Sequence, residues 1–192
     1  MPPLLRFRLG IGPGRQRTMQ HEGHLLMVLH DVPQCHDQQR TGQLFWRNPE
    51  GIWRSTIAGD GTTGVERHLA IFSRTIDHLM ADFDQADGSK DYFRLLEDLG
   101  PLVRSTRNLH GALEQARDVH ELINWRDEAY SLVRRVELLQ GDAKIALDFE
   151  IARQAETQAE ASHQMATSAH RLNVLETFFS AGDFVCPLRH AI

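Results

Sequence analysis

Residues 126–179 contain no helix breaker except Gly141, and that absence constrains the fold more than any other feature of the chain. A helix rises about 1.5 Å per residue, so this run would be about 80 Å long. One interior glycine costs about 1 kcal/mol, which a helix of that length tolerates. Within the run, Ala152, Ala155, Ala159, Ser162, Ala166 and Ala169 recur at spacings of three, four, three, four, three. This is a heptad seam made of the smallest side chains, along which a second helix can approach closely. Alanine is also the best helix former, so a solvated helix without a partner is the competing reading. The heptad register, with Gln, Glu, Thr and Arg between the small residues, favours a close-packed helix pair or an oligomer axis.

The remaining composition narrows the class. The chain has 192 residues, enough for one domain with an extended helical part. A net charge of -5 argues against a general nucleic-acid binder. Two distant cysteines, Cys35 and Cys186, make no disulfide framework, and the chain reads as intracellular. The most apolar C-terminal stretch, residues 174–185, holds Glu176 and Asp183. It is shorter than the roughly 18 to 20 apolar residues a membrane span needs. The first residues carry Arg6, Arg8, Arg15 and Arg17 among Pro2, Pro3, Gly10, Gly12, Pro13 and Gly14. Residues 1–23 are therefore expected to be a disordered basic tail.

From residue 24 the pattern becomes regular. Leu25-Leu26-Met27-Val28-Leu29, closed by Asp31-Val32-Pro33, predicts a strand buried on both faces. Cys35 through Gly42 reads as a loop. Gln43-Leu44-Phe45-Trp46 and Ile52-Trp53-Arg54-Ser55-Thr56 flank Asn48-Pro49-Glu50-Gly51, which predicts a hairpin. Three short strands cannot bury two faces, so helices must cover them. After the loop Gly59-Asp60-Gly61-Thr62-Thr63-Gly64, Thr62 or Thr63 with Glu66 predicts a capped helix start. Leu69, Phe72, Ile76, Leu79 and Phe83 mark that helix, and Asp87-Gly88-Ser89 ends it. A second helix shows Tyr92, Leu95, Leu99, Leu102, Leu109 and Leu113, continuing to His120, with a kink or break expected at Gly100-Pro101. Asn124, with Asp127 in the first turn, is the expected cap of the long helix, marked by Tyr130, Val133, Val136, Leu139 and Ala143.

Little in the chain points to catalysis. His21, His24, His30, Cys35 and His36 cluster in sequence but lack the tight pairs of a zinc site. Asp82, Asp84 and Asp87-Gly88 approach a calcium loop, yet the third acid is out of register and Arg94 stands where the loop needs Glu. There is no Gly-x-Ser-x-Gly elbow, phosphate loop or dinucleotide fingerprint. Glu150, Glu156 and Glu160 with Arg153 read as the solvated face of the long helix. The expectation is a non-enzyme without a catalytic centre or bound cofactor.

The long helix reads Ala146-Leu147-Asp148-Phe149-Glu150-Ile151-Ala152-Arg153-Gln154-Ala155-Glu156, then His170-Arg171-Leu172-Asn173-Val174-Leu175. Together with Arg104-Ser105-Thr106-Arg107-Asn108-Leu109-His110-Gly111-Ala112-Leu113, this resembles the CorA-like magnesium transporters over residues 24–179. The resemblance implies a cytosolic domain with a small sheet, flanking helices and a stalk helix leading into a first membrane span. It implies a homopentamer around a central pore, with magnesium as the ion and Asn173 matching the asparagine near the cytosolic end of that pore. After Phe179 the family continues into an apolar span ending in Gly-Met-Asn. This sequence instead reads Ser180-Ala181-Gly182-Asp183-Phe184-Val185-Cys186-Pro187-Leu188-Arg189-His190-Ala191-Ile192. A chain cut at the start of the first span, unable to conduct ions by itself, is the resulting expectation.

The sequence thus predicts an α+β fold: a small N-terminal sheet of a strand plus a hairpin, covered by helices, then a kinked helix and a very long C-terminal stalk. The expected division is 1–23 tail, 24–123 sheet and packing helices, 124–180 stalk and 181–192 irregular tail. The expected role is assembly or regulation in the cytoplasm, as a homo-oligomer. A free-standing scaffold that binds a partner helix through the alanine seam is the alternative.

Overall fold

The computed structural model describes residues 1–182 apart from 11, 13, 35–38 and 58–61, with side chains described as far as residue 175. Cys35, His36, the glycine loop at 59–61 and the tail from 183 onward lie outside the described residues. The fold is α+β, in the order α1 (Pro3–Leu9), β1 (Arg17–His21), β2 (His24–His30), β3 (Gly42–Arg47), β4 (Trp53–Ser55), α2 (Thr63–Gln85), α3 (Ser89–Glu114), a 3-10 turn (His120–Leu122) and α4 (Ile123–Gly182). It divides into two compact units, Met1–Leu147 and the part of the chain from Asp148 onward.

In the first unit the sheet is an antiparallel meander in the order β1-β2-β3-β4. Leu25 through His30 on β2 are all buried, because β2 lies between β1 and β3 and both of its faces are covered. Side chains alternate between faces along a strand. Leu25, Met27 and Leu29 join the main core with Phe45, Trp53, Leu69, Phe72, Leu102, Leu109 and Leu113. Leu26 and Val28 point the other way, and both are fully shielded.

The first 23 residues are not the disordered tail that their glycines and prolines suggested. They form α1 and β1. Pro3 opens α1 and Gly10, at φ +71°, follows its end, the usual asymmetry of a short helix. The Arg17 guanidinium donates to the carbonyls of Leu9 at 3.0 Å and Arg8 at 3.4 Å, closing the last turn. Leu5 is completely buried where α1 lies against β1. A two-residue turn at Glu22 and Gly23, both at positive φ, joins β1 to β2 and matches the right-handed twist of the strands.

The hairpin at 43–56 forms as expected. Asn48 N–H donates to the Ile52 carbonyl at 3.0 Å, and Gly51 takes φ +84°. Gly64 lets α2 descend onto β4: a Cβ there would lie 2.5 Å from Ser55 Oγ. Helix α2 starts where expected, but without a side-chain cap. The N–H groups of Val65 and Glu66 donate to the Thr62 backbone carbonyl instead. Helix α3 runs unbroken through Pro101. The carbonyl that loses its partner belongs to Glu97, an exposed residue, so water can satisfy it. Asn124 is not a cap, because the 3-10 turn carries the chain directly into α4 at Ile123.

The first part of α4 buries Trp125, Ala129, Leu132, Val136, Leu139 and Ala143, spaced four, three, four, three, four. Tyr130 lies off that face and is exposed. Polar ties flank this buried face of α4. Arg107 donates to Glu137 at 2.6 Å, and Arg135 donates to Ser73 at 3.0 Å and also to Asp77. Glu121 accepts two bonds from Arg47, at 2.8 and 2.9 Å, and one from Trp53 at 3.2 Å. Those bonds, the Arg47 pair foremost, hold the Glu121 carboxyl below its usual range.

His68 on α2 sits in this core, only 1% exposed, with its ring edge-on between Phe45 and Phe72. Burial pushes its pKa down to about 4 from 6.5, against the smaller opposing effects of Asp31 and a bond to the His30 backbone. Burial also lowers His30, whose Nε2 donates to the Gly14 carbonyl at 2.8 Å. Well above pH 6.5 His68 is neutral in both the folded and unfolded chain and adds no pH dependence. Below 6.5 the unfolded chain takes up the proton first, so stability falls until about pH 4 and then levels off. A depression of this size is worth on the order of 3 kcal/mol. Urea unfolding at pH 7 and pH 4.5 should show most of that loss in the parent and a smaller loss in His68→Met. An equal acid loss in both would place the sensitivity elsewhere.

Candidate functional site

The second unit is the continuation of α4 from Asp148. All six seam residues, Ala152, Ala155, Ala159, Ser162, Ala166 and Ala169, lie on this helix and are exposed, as is Asn173. The Ser162 hydroxyl donates to the Gln158 carbonyl at 2.8 Å, folding back onto its own helix. The seam therefore presents Cα–H and methyl surface, with no polar group that needs a specific partner. A small-residue stripe of this kind admits a second helix at short interaxial distance.

Apolar side chains beside the seam are also exposed. Phe149 is 71% exposed, Met165 65% and Leu172 66%, with Ile151, Val174 and Leu175 about half exposed. These apolar side chains therefore face solvent in the chain by itself. One charged pair of the unit is formed within the helix itself. Arg153 forks onto Glu150 at 2.7 and 2.8 Å, and Gln154 adds a bond at 3.0 Å. The Arg153 bond, then that from Gln154, holds Glu150 below the usual carboxylate range. The i,i+4 back-bonds of Thr157 and Thr167 occupy their hydroxyls in the same way as Ser162.

No group of three or more His, Cys, Asp or Glu among the described residues is placed to hold a metal ion. His21, His24 and His30 lie on β1 and β2, where His24 stacks on Trp46 at 5.6 Å. Asp82 bonds His78 at 3.0 Å within α2, and the Asp87 N–H reaches Asp91 across the turn to α3. One polar cluster was not singled out in the sequence. Glu114 at the end of α3 accepts from Arg117 at 2.6 Å and pairs with Arg126 at 3.1 Å. His110 lies 3.9 Å away and packs its ring on Tyr130. Arg117 foremost lowers the Glu114 pKa. The i,i+3 and i,i+4 spacings were visible, but Arg126 arrives from α4 and required the fold. Through Arg126 the cluster ties the end of α3 to α4, with Arg117 well exposed.

No family model matches this sequence, and no curated protein matches it. Solved structures do match. The cytoplasmic domain of ZntB from Vibrio parahaemolyticus superposes with a TM-score of 0.64 at 12% identity, covering 81% of this chain and 80% of that one. The full-length CmaX protein superposes with a TM-score of 0.59 at 14% identity, covering 100% of this chain and 71% of that one. The CorA magnesium transporter from Methanocaldococcus jannaschii aligns more loosely, at a TM-score of 0.41 and 12% identity. The chain therefore has the fold of the ZntB cytoplasmic domain, and the α+β architecture read from the residues, a small sheet with helices and a long C-terminal helix, is borne out.

Replacing Ala159 by Leu adds bulk at the middle of the exposed seam. If a helix packs there, the added methylenes force the pair apart at a cost of roughly 1 to 3 kcal/mol. Light scattering and thermal melting of Ala159→Leu should show weaker association and a lower midpoint than the parent. Identical behaviour would leave the seam without a partner.

Proposed function

We propose that this chain is the cytosolic portion of a CorA-like metal-ion transporter and that it works as a homo-oligomer, a pentamer by resemblance. In this reading residues 124–180 are the stalk, and the seam from Ala152 to Ala169 packs copy against copy. Asn173 lies toward the cytosolic end of the shared axis. Magnesium is the cargo implied by the resemblance, not a resident cofactor. The role of this chain is assembly or regulation in the cytoplasm, not catalysis and not conduction by itself. The observation that carries the reading is the fold shared with the ZntB cytoplasmic domain over four-fifths of both chains. The exposed small-residue seam supports it independently.

Light scattering of the purified chain, with and without magnesium, tests the assembly. Association into a discrete oligomer is expected. A chain that stays monomeric at every concentration, yet captures a different partner helix, would replace this reading with the scaffold alternative. No helix among the described residues is long and apolar enough to cross a membrane. Expressed in cells that lack their own magnesium uptake, the chain should accordingly fail to restore growth in low magnesium. Restored growth would refute the assigned role.

A further inference from the structure

Helix α1 exposes an aromatic residue for which its own chain has no use. Phe7 is 88% exposed and Leu4 40%, although Leu5 beside them is fully buried and Arg17 clamps the end of the helix. Successive helical residues are about 100° apart, so Arg6 and Arg8 stand on either side of Phe7. Neither makes a salt bridge among the described residues. No acid occurs before Glu22. The result is a rigid apolar knob between two cations.

The first unit also carries the complementary shape. A groove of about 330 Å³ runs between α2 and α4, with Met80, Phe83, Leu138 and Leu139 as its apolar floor. Leu138 is 56% exposed and Met80 44%. One aspartate stands on each wall, Asp84 from α2 and Asp142 from α4, and neither has a salt-bridge partner among the described residues. The groove's own cation, Arg135, is already bound to Ser73 and Asp77. The floor therefore suits a phenyl ring, and the walls suit cations on both sides of it.

We propose that α1 of one copy docks in the α2–α4 groove of a neighbouring copy. Phe7 sits on Met80 and Leu138, while Arg6 and Arg8 face Asp84 and Asp142. Each copy offers one knob and one groove on different surfaces, so the contact is head-to-tail and propagates into a ring when the rotation closes. It rests on the homo-oligomer reading and adds to it an interface independent of the alanine seam. An exposed aromatic filling an apolar pocket is the pattern of an interface hot spot, and the flanking charges set its orientation.

Photo-crosslinking tests the contact directly. A benzophenone analogue of phenylalanine at position 7 of the full chain should give adducts between copies, mapping to residues 80–84 or 135–142. The R6E/R8E variant and the D84R/D142R variant should each associate roughly tenfold more weakly than the parent. An equimolar mixture of the two should regain most of the association, because each mixed contact pairs α1 with a groove of opposite charge and an odd-membered ring need keep only one like-charged contact. Adducts absent or mapping elsewhere, or a mixture no better than its components, would overturn the proposal. Binding of the parent but not R6E/R8E to phosphatidylserine vesicles, without copy-to-copy adducts, would also overturn it and assign α1 to a lipid surface. Association lost in Ala159→Leu but untouched by the charge swaps would remove this contact alone and leave the assembly reading standing.

Discussion

A strand with both faces apolar cannot sit at the surface of a sheet, and β2 is such a strand. Its burial decides what surrounds it. One face, through Leu25, Met27 and Leu29, calls for the long helices α2 and α3. The other, through Leu26 and Val28, calls for a second cover, on the side of the sheet away from the main core. Burying a side chain of this size is worth about 1.5 to 3 kcal/mol, so neither face can be left to water cheaply. Strand β1 pairs along the edge of β2, and α1 packs on β1.

This explains what could be read from the residues and what could not. The hairpin at 43–56 and the three long helices follow from patterns confined to single segments: a Pro-Glu-Gly turn, and apolar residues at helical spacing. In the first 23 residues glycine and proline content points to disorder only while their positions are ignored. Pro3 before the helix and Gly10 after it are helix boundaries, and Gly23 closes a two-residue hairpin turn. Composition registers those residues as breakers, whereas position makes them punctuation. The face of α4 was also misassigned at Tyr130. The buried series Trp125, Ala129, Leu132, Val136 is as regular as the expected one, and only the packing partner selects between them. At the candidate site, the alanine spacing was fully legible. The Phe7 knob and the Asp84–Asp142 groove were not, because the groove joins residues 58 positions apart on two helices.

The polar contacts of the first unit share one design. Arg47 with Glu121, Arg107 with Glu137, Arg126 with Glu114 and Arg135 with Asp77 each join two different elements. All lie at the edge of the core and not inside it. Partly exposed pairs of this kind contribute at most about 1 kcal/mol each. The Arg47 pair adds direction, because a guanidinium fork donates to a carboxylate in few orientations. The three pairs that involve Arg126, Arg135 and Glu137 tie α4 to α2 and α3 beside its buried face.

The bond from Gln16 to the Ser105 carbonyl, at 3.0 Å, spans 89 residues. Thr18 reaches the Ala112 carbonyl across 94. The meander itself links only sequential neighbours and can pair as soon as it is made. A ribosome adds about 5 to 20 residues per second, so roughly 5 to 20 seconds separate the synthesis of β1 from that of the α3 residues that cover it. Throughout that interval the part of the sheet that α3 covers is bare. The seconds before α3 emerges are thus the period in which a chaperone has most to shield.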